Sequence, residues 1–258
     1  MLEFLLKERN AMPTKAIVSR TLLFLGILFA VSGAAWAQTD TIPTNRGDLR
    51  ITPVVHGSLM LQWDNKVIHI DPSGAVGGDF NSLPKADLIL VTDIHGDHMD
   101  RAKIDLLKKA GTVIVTSAAV ARTITEAQTI ANGEKKTFAG IEIEAVAAYN
   151  LQRGPQPGQL FHDKGRGNGY ILTLGGKRLY ASGDTECIPE MKALRNIDVA
   201  FVCMNLPYTM TPGEAAACVN GFKPKIVYPY HYGQSNLQEF SSAVQGTQGV
   251  EVRLRKWY

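Results

Sequence analysis

The sequence has few of the features that mark disulfide-rich, nucleic-acid-binding or serine-hydrolase proteins. Its 258 residues include three cysteines at scattered positions, and this odd count predicts no disulfide framework. Lys and Arg total 27 against 24 Asp and Glu, so the charge gives no reason to expect nucleic acid as a partner. The Gly-x-Ser-x-Gly motif is absent. A serine nucleophile and a disulfide scaffold are therefore not expected.

The cysteines are instead expected to be unpaired. Cys203 and Cys218 are predicted to pack as small apolar residues. Cys187 follows the GDTE segment that begins at Gly183, and we expect it to be an inert neighbour of that segment.

Long hydrophobic runs are also scarce, and the one that stands out is the uncharged stretch 21–33. Basic residues precede it and a small-x-small motif ends at Ala37, which is the pattern of a signal peptide too short to span a bilayer comfortably. We expect residues 1–37 to be cleaved, leaving 38–258 as a single periplasmic or secreted domain without a stable membrane anchor. An uncleaved N-terminal anchor is the alternative, and Met12 is an alternative start.

Short β-type runs come first in the mature chain, and strands then alternate with helices in each half. This order predicts an α+β fold, a four-layer αββα sandwich with two sheets face to face and helices outside. Thr211, Pro212 and Glu214 have the spacing of a helix start with a capping box. The predicted helices span 100–111, 117–127, 188–196, 211–221 and 236–245, and the last predicted strand spans 250–257.

The stretch VTDIHGDHMD contains four potential metal ligands within six residues. They are Asp93, His95, Asp97 and His98. The first three alternate and would share one face of an extended chain, whereas His98 points elsewhere unless the chain turns at Gly96. Such a segment can supply two neighbouring ions but completes the coordination of neither.

Further donors are therefore expected from other strand ends. Asp184 follows the β-type run KRLYA, His231 follows IVYPY, and Asn150 follows a third such run. Polar donors at the ends of separate strands are typical of a site on the rim of a rigid sheet.

With these residues the sequence resembles the metallo-β-lactamase superfamily. The resemblance covers essentially the whole mature chain, and it includes IDP at Asp71, the metal-rich turn, GDTE at Asp184 and PYHYG at His231 in the expected order. HGS at His56, FHDKGRGNGY, GDTECIPEM and YTMTPGEA look most like the branch that contains bacterial L-ascorbate-6-phosphate lactonase. The resemblance implies the αββα fold and a metal-dependent hydrolase.

The resemblance also implies two metal positions for one or two divalent ions, Zn, Mn or Fe. The first would use Asp93, His95 and Asn150, the second would use Asp97, His98 and His231, and Asp184 would bridge them. Asp71 would support the metal-binding loop. Asp93 and Asn150 stand where the superfamily usually has histidine. Oxygen donors favour Mn²⁺ or Fe²⁺ at the first position, or that position is weak and only the second is filled.

The mechanism implied is hydrolysis by water. A divalent ion lowers the pKa of bound water from about 15.7 to about 7. Asp97 and Asp184 are the catalytic candidates because either can orient that water. Asp93 or a further water would protonate the leaving group.

Candidate substrate residues come from the loops around the site. They are His56, His162, Lys164 and Tyr208, with Arg153, Arg166 and Met210 as further candidates. For Arg153 and Arg166 a solvated loop is the favoured interpretation. His69, inside the run KVIHI, is expected to be an ordinary paired strand residue.

Several functions fit this pattern. The leading hypothesis is an exported metal-dependent hydrolase of a small-molecule ester, lactone or phosphoester. The alternatives are a phosphodiesterase or phospholipase-D-like hydrolase, and a metal-stabilised binding protein without turnover. A β-lactamase is disfavoured by the missing histidines, and an RNA nuclease by the near-neutral charge. The expected partner is a small-molecule substrate, and assembly into a homo-oligomer is left open.

Overall fold

Two seven-stranded sheets form the part of the protein that the structure describes. The structure is a computed structural model that describes residues 39–258. The first sheet contains β1 (Asp40–Thr44), β2 (Gly47–Val55), β3 (Ser58–Trp63), β4 (Lys66–Ile70), β5 (Leu88–Val91), β6 (Val113–Thr116) and β7 (Gln128–Thr129). The second contains β8 (Lys135–Phe138), β9 (Ile141–Ala148), β10 (Gly167–Leu174), β11 (Lys177–Ala181), β12 (Val199–Cys203), β13 (Ile226–Tyr230) and β14 (Glu251–Val252).

The strands of each sheet lie in chain order, and the two sheets repeat one pattern. β1 to β4 and β8 to β11 pair antiparallel, as hairpins do. The later strands pair parallel. Parallel neighbours need crossover connections, and these carry the helices α1 (Arg101–Leu107), α2 (Pro189–Lys192), α3 (Pro212–Phe222) and α4 (Leu237–Val244).

The first sheet is covered on both faces, which explains its nearly continuous apolar strands. In β5, Leu88 and Leu90 belong to the large core that the two sheets share, whereas Ile89 and Val91 pack on the opposite face with Ile104 of α1. Alternation of side chains along a strand produces this division. The predicted αββα sandwich is confirmed.

The start of α3 also agrees with the sequence. The Thr211 hydroxyl accepts from the Glu214 backbone N–H at 3.1 Å, and Glu214 in turn accepts from the Thr211 backbone N–H at 2.7 Å. Pro212 occupies the first turn, where its missing N–H costs nothing.

Some predicted elements are shorter or absent. The helix predicted over 117–127 is reduced to a 3₁₀ turn, Val120–Arg122, which is directly followed by the β-branched residues Thr123, Ile124 and Thr125, whose helix propensity is low. The helix predicted over 188–196 is limited to Pro189–Lys192, and the last strand to Glu251–Val252.

The prediction of unpaired cysteines is wrong for two of the three. Cys187 and Cys218 form a disulfide with a Cα–Cα distance of 5.6 Å. It joins the segment after GDTE to α3, and a spacing of 31 residues could not reveal that these elements pack together. Cys203 is free and buried, as expected.

No helix within residues 39–258 has the length and hydropathy needed to cross a bilayer. The predicted signal peptide lies outside the described residues.

Candidate metal centre

The candidate ligands gather where several strands end. The metal-rich turn follows β5, Asp184 follows β11, and His231 directly follows β13. Gly183, before Asp184, has φ +60°, and a Cβ there would lie 3.0 Å from Cβ of Thr92, the residue directly after β5. Glycine therefore lets the second sheet approach the loop that carries the turn.

Three residues around the centre have left-handed backbone although they are not glycine. They are His56, Asp71 and His231, with φ of 53°, 48° and 46°. Such conformations cost on the order of 1–3 kcal/mol each and persist where surrounding bonds hold them. Here the Asp71 N–H donates to the Leu90 carbonyl, and the His231 N–H donates to the His56 carbonyl.

Four donors converge at one point, which corresponds to the second predicted position. Nε2 of His98 lies 3.2 Å from Nε2 of His231 and 3.3 Å from Oδ2 of Asp184. Nε2 of His231 lies 3.3 Å from Oδ2 of Asp97. The turn after β5 is thus brought together with residues more than 80 positions later in the chain.

The chemistry of these donors fits a divalent cation. Nδ1 of His98 is 2.8 Å from Asp71 and donates to it, so the other ring nitrogen faces the centre. Oδ1 of Asp184 is buried without a hydrogen-bond partner among the described residues. A buried carboxylate oxygen without a donor is costly, and a metal ion at the centre would satisfy it.

The pKa shifts also favour positive charge at the centre. Burial alone would raise the pKa of Asp184, but His231 and His98 hold it well below its usual range. Burial alone would lower the pKa of His98, but Asp184 and Asp71 raise it well above the usual histidine value. A bound proton or a bound metal ion would supply this positive charge.

The first predicted position has a different third donor from the one expected. Ligand atoms of Asp93, His95 and His162 all lie within 4.8 Å of one another. Nε2 of His162 is buried without a hydrogen-bond partner among the described residues and lies 3.2 Å from Oδ2 of Asp184. His162 therefore presents a free ring nitrogen between the two positions.

Asn150 does not present its amide oxygen to the centre, which corrects the expectation for it. That oxygen is 2.5 Å from Nδ1 of His162 and accepts a hydrogen bond from it. The Asn150 amide donates to Glu186 and to the Tyr208 carbonyl. Asn150 thus orients the ring of His162, and that ring takes the donor position expected for Asn150. The only sequence signal for His162 was its place in FHDKG.

Arg166 contacts the first position directly instead of being solvated. Its Nε and Nη2 donate to the two oxygens of Asp93, each at 3.0 Å. Nη2 also lies 3.5 Å from Nε2 of His95. No sequence pattern distinguishes Arg166 from the other cationic residues of that loop.

His56 lies against the second position and connects it to the end of the chain. Nε2 of His56 is 3.0 Å from Oδ2 of Asp97, and Nδ1 is 2.6 Å from the hydroxyl of Tyr258. Burial lowers the pKa of His56. Its neutral ring therefore donates to Asp97 while it accepts from Tyr258, a partner 202 positions away that no sequence motif indicates.

The remaining candidates make other contacts. The ammonium of Lys164 pairs with Glu190 at 2.8 Å, and its side chain is 64% exposed. Tyr208 packs edge-on against Phe161, with ring centroids 5.0 Å apart. Arg153 pairs with Glu214 at 2.7 Å. None of these contacts involves a candidate ligand side chain. His69 is buried in β4 and hydrogen-bonds the Pro84 carbonyl, as expected of a strand residue.

Comparison with known proteins settles the family. The family model of the beta-lactamase superfamily domain matches residues 50–231, which include both candidate metal positions. The chain belongs to the beta-lactamase superfamily. This confirms the predicted superfamily and, with it, the predicted fold.

Individual relatives are named as metal-dependent hydrolases. The chain is 28% identical to a UPF0173 metal-dependent hydrolase of Thermodesulfovibrio yellowstonii, over 92% of this chain and 96% of the relative. It is 31% identical to such a hydrolase of Symbiobacterium thermophilum, over 65% and 73%. A solved candidate metal-dependent hydrolase from Parabacteroides distasonis is 42% identical, with a TM-score of 0.81, over 86% of this chain and 100% of that one. The predicted enzyme class, a metal-dependent hydrolase, is confirmed, whereas the lactonase branch stays a prediction.

Proposed function

We propose that the protein is an exported hydrolase that directs a metal-activated water at a small-molecule ester, lactone or phosphoester. The observation that carries the proposal is the convergence of His98, Asp184 and His231 at the strand ends of two sheets, with Asp97 3.3 Å from His231. His95, His162 and Asp93 supply a second set of donors beside it.

Each residue has a role that its contacts support. A divalent ion held here supplies a water of lowered pKa and polarises a substrate oxygen. Asp97 accepts a hydrogen bond from His56 through Oδ2, and its Oδ1 makes no hydrogen bond within residues 39–258. That free oxygen can orient the attacking water and receive its proton. Asp184 lies between His98 and His162 and holds the two positions together.

The substrate class rests on the type of site. No serine or cysteine nucleophile is needed, because a divalent ion held by these donors would supply an activated water. The only free cysteine in the described residues, Cys203, is buried, and burial raises its thiol pKa to about 12. Such a thiol is a poor nucleophile.

Export is supported by two independent features. The first is the signal-peptide pattern of residues 1–37. The second is the Cys187–Cys218 disulfide, because disulfides persist in oxidising compartments and are rare in the cytosol. Mass spectrometry of protein recovered from the periplasm or medium tests export. A chain beginning at Gln38 is expected, and full-length protein found only in the cytosol would contradict it.

The activity is tested by screening lactones, esters and phosphodiesters with the full chain after Zn²⁺, Mn²⁺ or Fe²⁺ is restored. We expect Asp184→Ala to lower turnover at least about 100-fold, because it removes the donor common to both positions. Asp163→Asn, on the exposed part of the neighbouring loop, is the matched control. Unchanged turnover in Asp184→Ala would overturn the proposed role. Full metal occupancy without hydrolysis of any substrate class would indicate a binding protein instead.

A further inference from the structure

A fixed positive charge lies at one of the two candidate positions. The guanidinium of Arg166 contacts both carboxylate oxygens of Asp93, each at 3.0 Å, so this ligand candidate is engaged on both sides. Oδ2 of Asp93 also lies 3.0 Å from Nδ1 of His95. Asp93 is 2% exposed, and the side chain of Arg166 is 17% exposed. The pair is therefore poorly screened by solvent and stronger than a surface ion pair.

The backbone around Arg166 holds the guanidinium in place. The Arg166 carbonyl accepts from the Ser117 hydroxyl at 2.6 Å, and its N–H donates to the Asp163 carbonyl at 3.1 Å. A Cβ on the next residue, Gly167, would lie 3.1 Å from the Thr92 carbonyl oxygen and 3.4 Å from Oδ1 of Asp93. Glycine thus allows the loop to come close enough for the bidentate contact.

The other position contains no such charge. Within residues 39–258, the ion pairs of Asp97 and Asp184 involve only histidines. Histidine can lose its proton when a metal ion arrives, whereas arginine stays charged at any accessible pH. The two positions therefore differ in a charge that metal binding cannot displace.

We propose that Arg166 is a specificity-determining residue that makes the two metal positions unequal. The position at Asp93, His95 and His162 binds a divalent ion weakly and exchanges it. The position at Asp97, His98, Asp184 and His231 binds its ion tightly. The first cause is repulsion between the guanidinium and an incoming dication. The second is that the guanidinium neutralises the Asp93 carboxylate, whose negative charge would otherwise attract the ion. This inference rests on the proposed metal-dependent function and specifies how its centre is loaded.

The test is titration of the metal-free full chain with Zn²⁺ and, separately, with Mn²⁺, followed by ion counting after dialysis. The wild-type chain is expected to show two classes of site that differ in affinity by at least about tenfold. His95→Ala should remove the weak class and leave the tight one, which assigns the weak class to the first position. Equal affinities of the two positions for the metal ion in the wild-type chain would overturn the inference.

Two neutral variants then isolate the charge. Arg166→Met and Arg166→Gln should each tighten the weak class by at least about tenfold and leave the tight class within about threefold. The unchanged tight class also reports that the fold is intact. Lys164→Met removes a positive charge two residues away, from a side chain that pairs with Glu190, and should change neither class. If the weak class stays unchanged or weakens further in both Arg166 variants, the guanidinium only positions Asp93, and the inference fails.

These outcomes separate this inference from the proposed function. A chain that binds neither Zn²⁺ nor Mn²⁺ would contradict the metal-dependent function itself. A chain that binds two ions equally and still hydrolyses its substrate would contradict only the role of Arg166.

Discussion

The amide of Asn150 holds the ring of His162 in one orientation: its oxygen accepts from Nδ1 at 2.5 Å, and the opposite ring nitrogen is buried without a hydrogen-bond partner in the part of the chain that the structure describes. Glu186 fixes Asn150 in turn, because it accepts from the Asn150 amide at 3.1 Å. The backbone N–H groups of Leu151, Gln152 and Arg153 donate to the same carboxylate. The start of the long loop and the candidate ligand His162 therefore depend on one buried acid.

Asn150→Asp distinguishes a supporting residue from a ligand. We expect the variant to lower both the melting temperature and the metal affinity of the first position. The new carboxylate would face Glu186 and the Tyr208 carbonyl, which now accept from the amide, and such a buried mismatch costs about 3 kcal/mol. Thermal unfolding and Zn²⁺ titration measure the two effects. Unchanged or tighter Zn²⁺ binding would show that position 150 is itself a ligand.

Asp71→Asn tests the support of His98. Asp71 is fully buried and accepts from the Thr92 backbone at 2.7 Å, the Thr92 hydroxyl at 2.6 Å and Nδ1 of His98 at 2.8 Å. An amide cannot accept from all three, so we expect metal affinity to fall about 10- to 100-fold. Titration with Zn²⁺ measures the change, with the exposed Asp163→Asn as control. Equal affinities in the two variants would mean that Asp71 has no influence on the metal.

The buried His69 gives stability a defined pH dependence. Burial lowers its pKa to about 4, against a model-peptide value of about 6.5 in the unfolded chain. The unfolded chain therefore takes up the proton first as the pH falls. The contribution to stability is complete above about pH 6.5 and declines by about 3 kcal/mol as the pH falls to about 4.

His69→Gln removes this titration and keeps a donor for the Pro84 carbonyl, which now lies 3.0 Å from Nε2. Urea unfolding with a chelator present, at about pH 7.5 and about pH 4.5, measures the effect. Between these two pH values the variant should lose about 2.5 kcal/mol less free energy of unfolding than the wild-type chain. The pH dependence above about pH 7.5 should be the same in both proteins. Identical losses at low pH would contradict the assignment to His69.

The disulfide should stabilise the domain by restricting the unfolded chain. Closing a loop of 31 residues corresponds to about 3–4 kcal/mol in the chain-entropy description. The double variant Cys187→Ala/Cys218→Ala should lose about that much free energy of unfolding and become insensitive to reductant. Urea unfolding with and without reductant measures both effects. A wild-type chain that unfolds identically in the two conditions would show that the thiols are not paired in solution.

The predictable part of the fold and site depends on local patterns. Alternation and apolar runs predict the strands, and a polar donor directly after a strand predicts where Asp184 and His231 lie. Both features follow from the geometry of a single strand, so they can be read from the sequence. The capping box of α3 is local in the same way.

The rest depends on the path of loops, which no periodicity describes. Asn150 and His162 are twelve residues apart, and only the folded loop shows which one faces the centre. The contact between Arg166 and Asp93, 73 positions apart, is equally invisible in the sequence. The disulfide was missed because it depends on how α3 packs against the segment after β11.

The candidate ligands come from both halves of the chain, with the metal-rich turn after the first sheet's β5 and Asp184 and His231 after strands of the second. Neither half alone contains a complete set. A newly synthesised chain therefore cannot assemble the centre until β13 has joined the second sheet and the sheets have docked. Contacts between residues so distant in sequence form late. A complete set of ligands for a metal ion is therefore expected only at the final stage of folding.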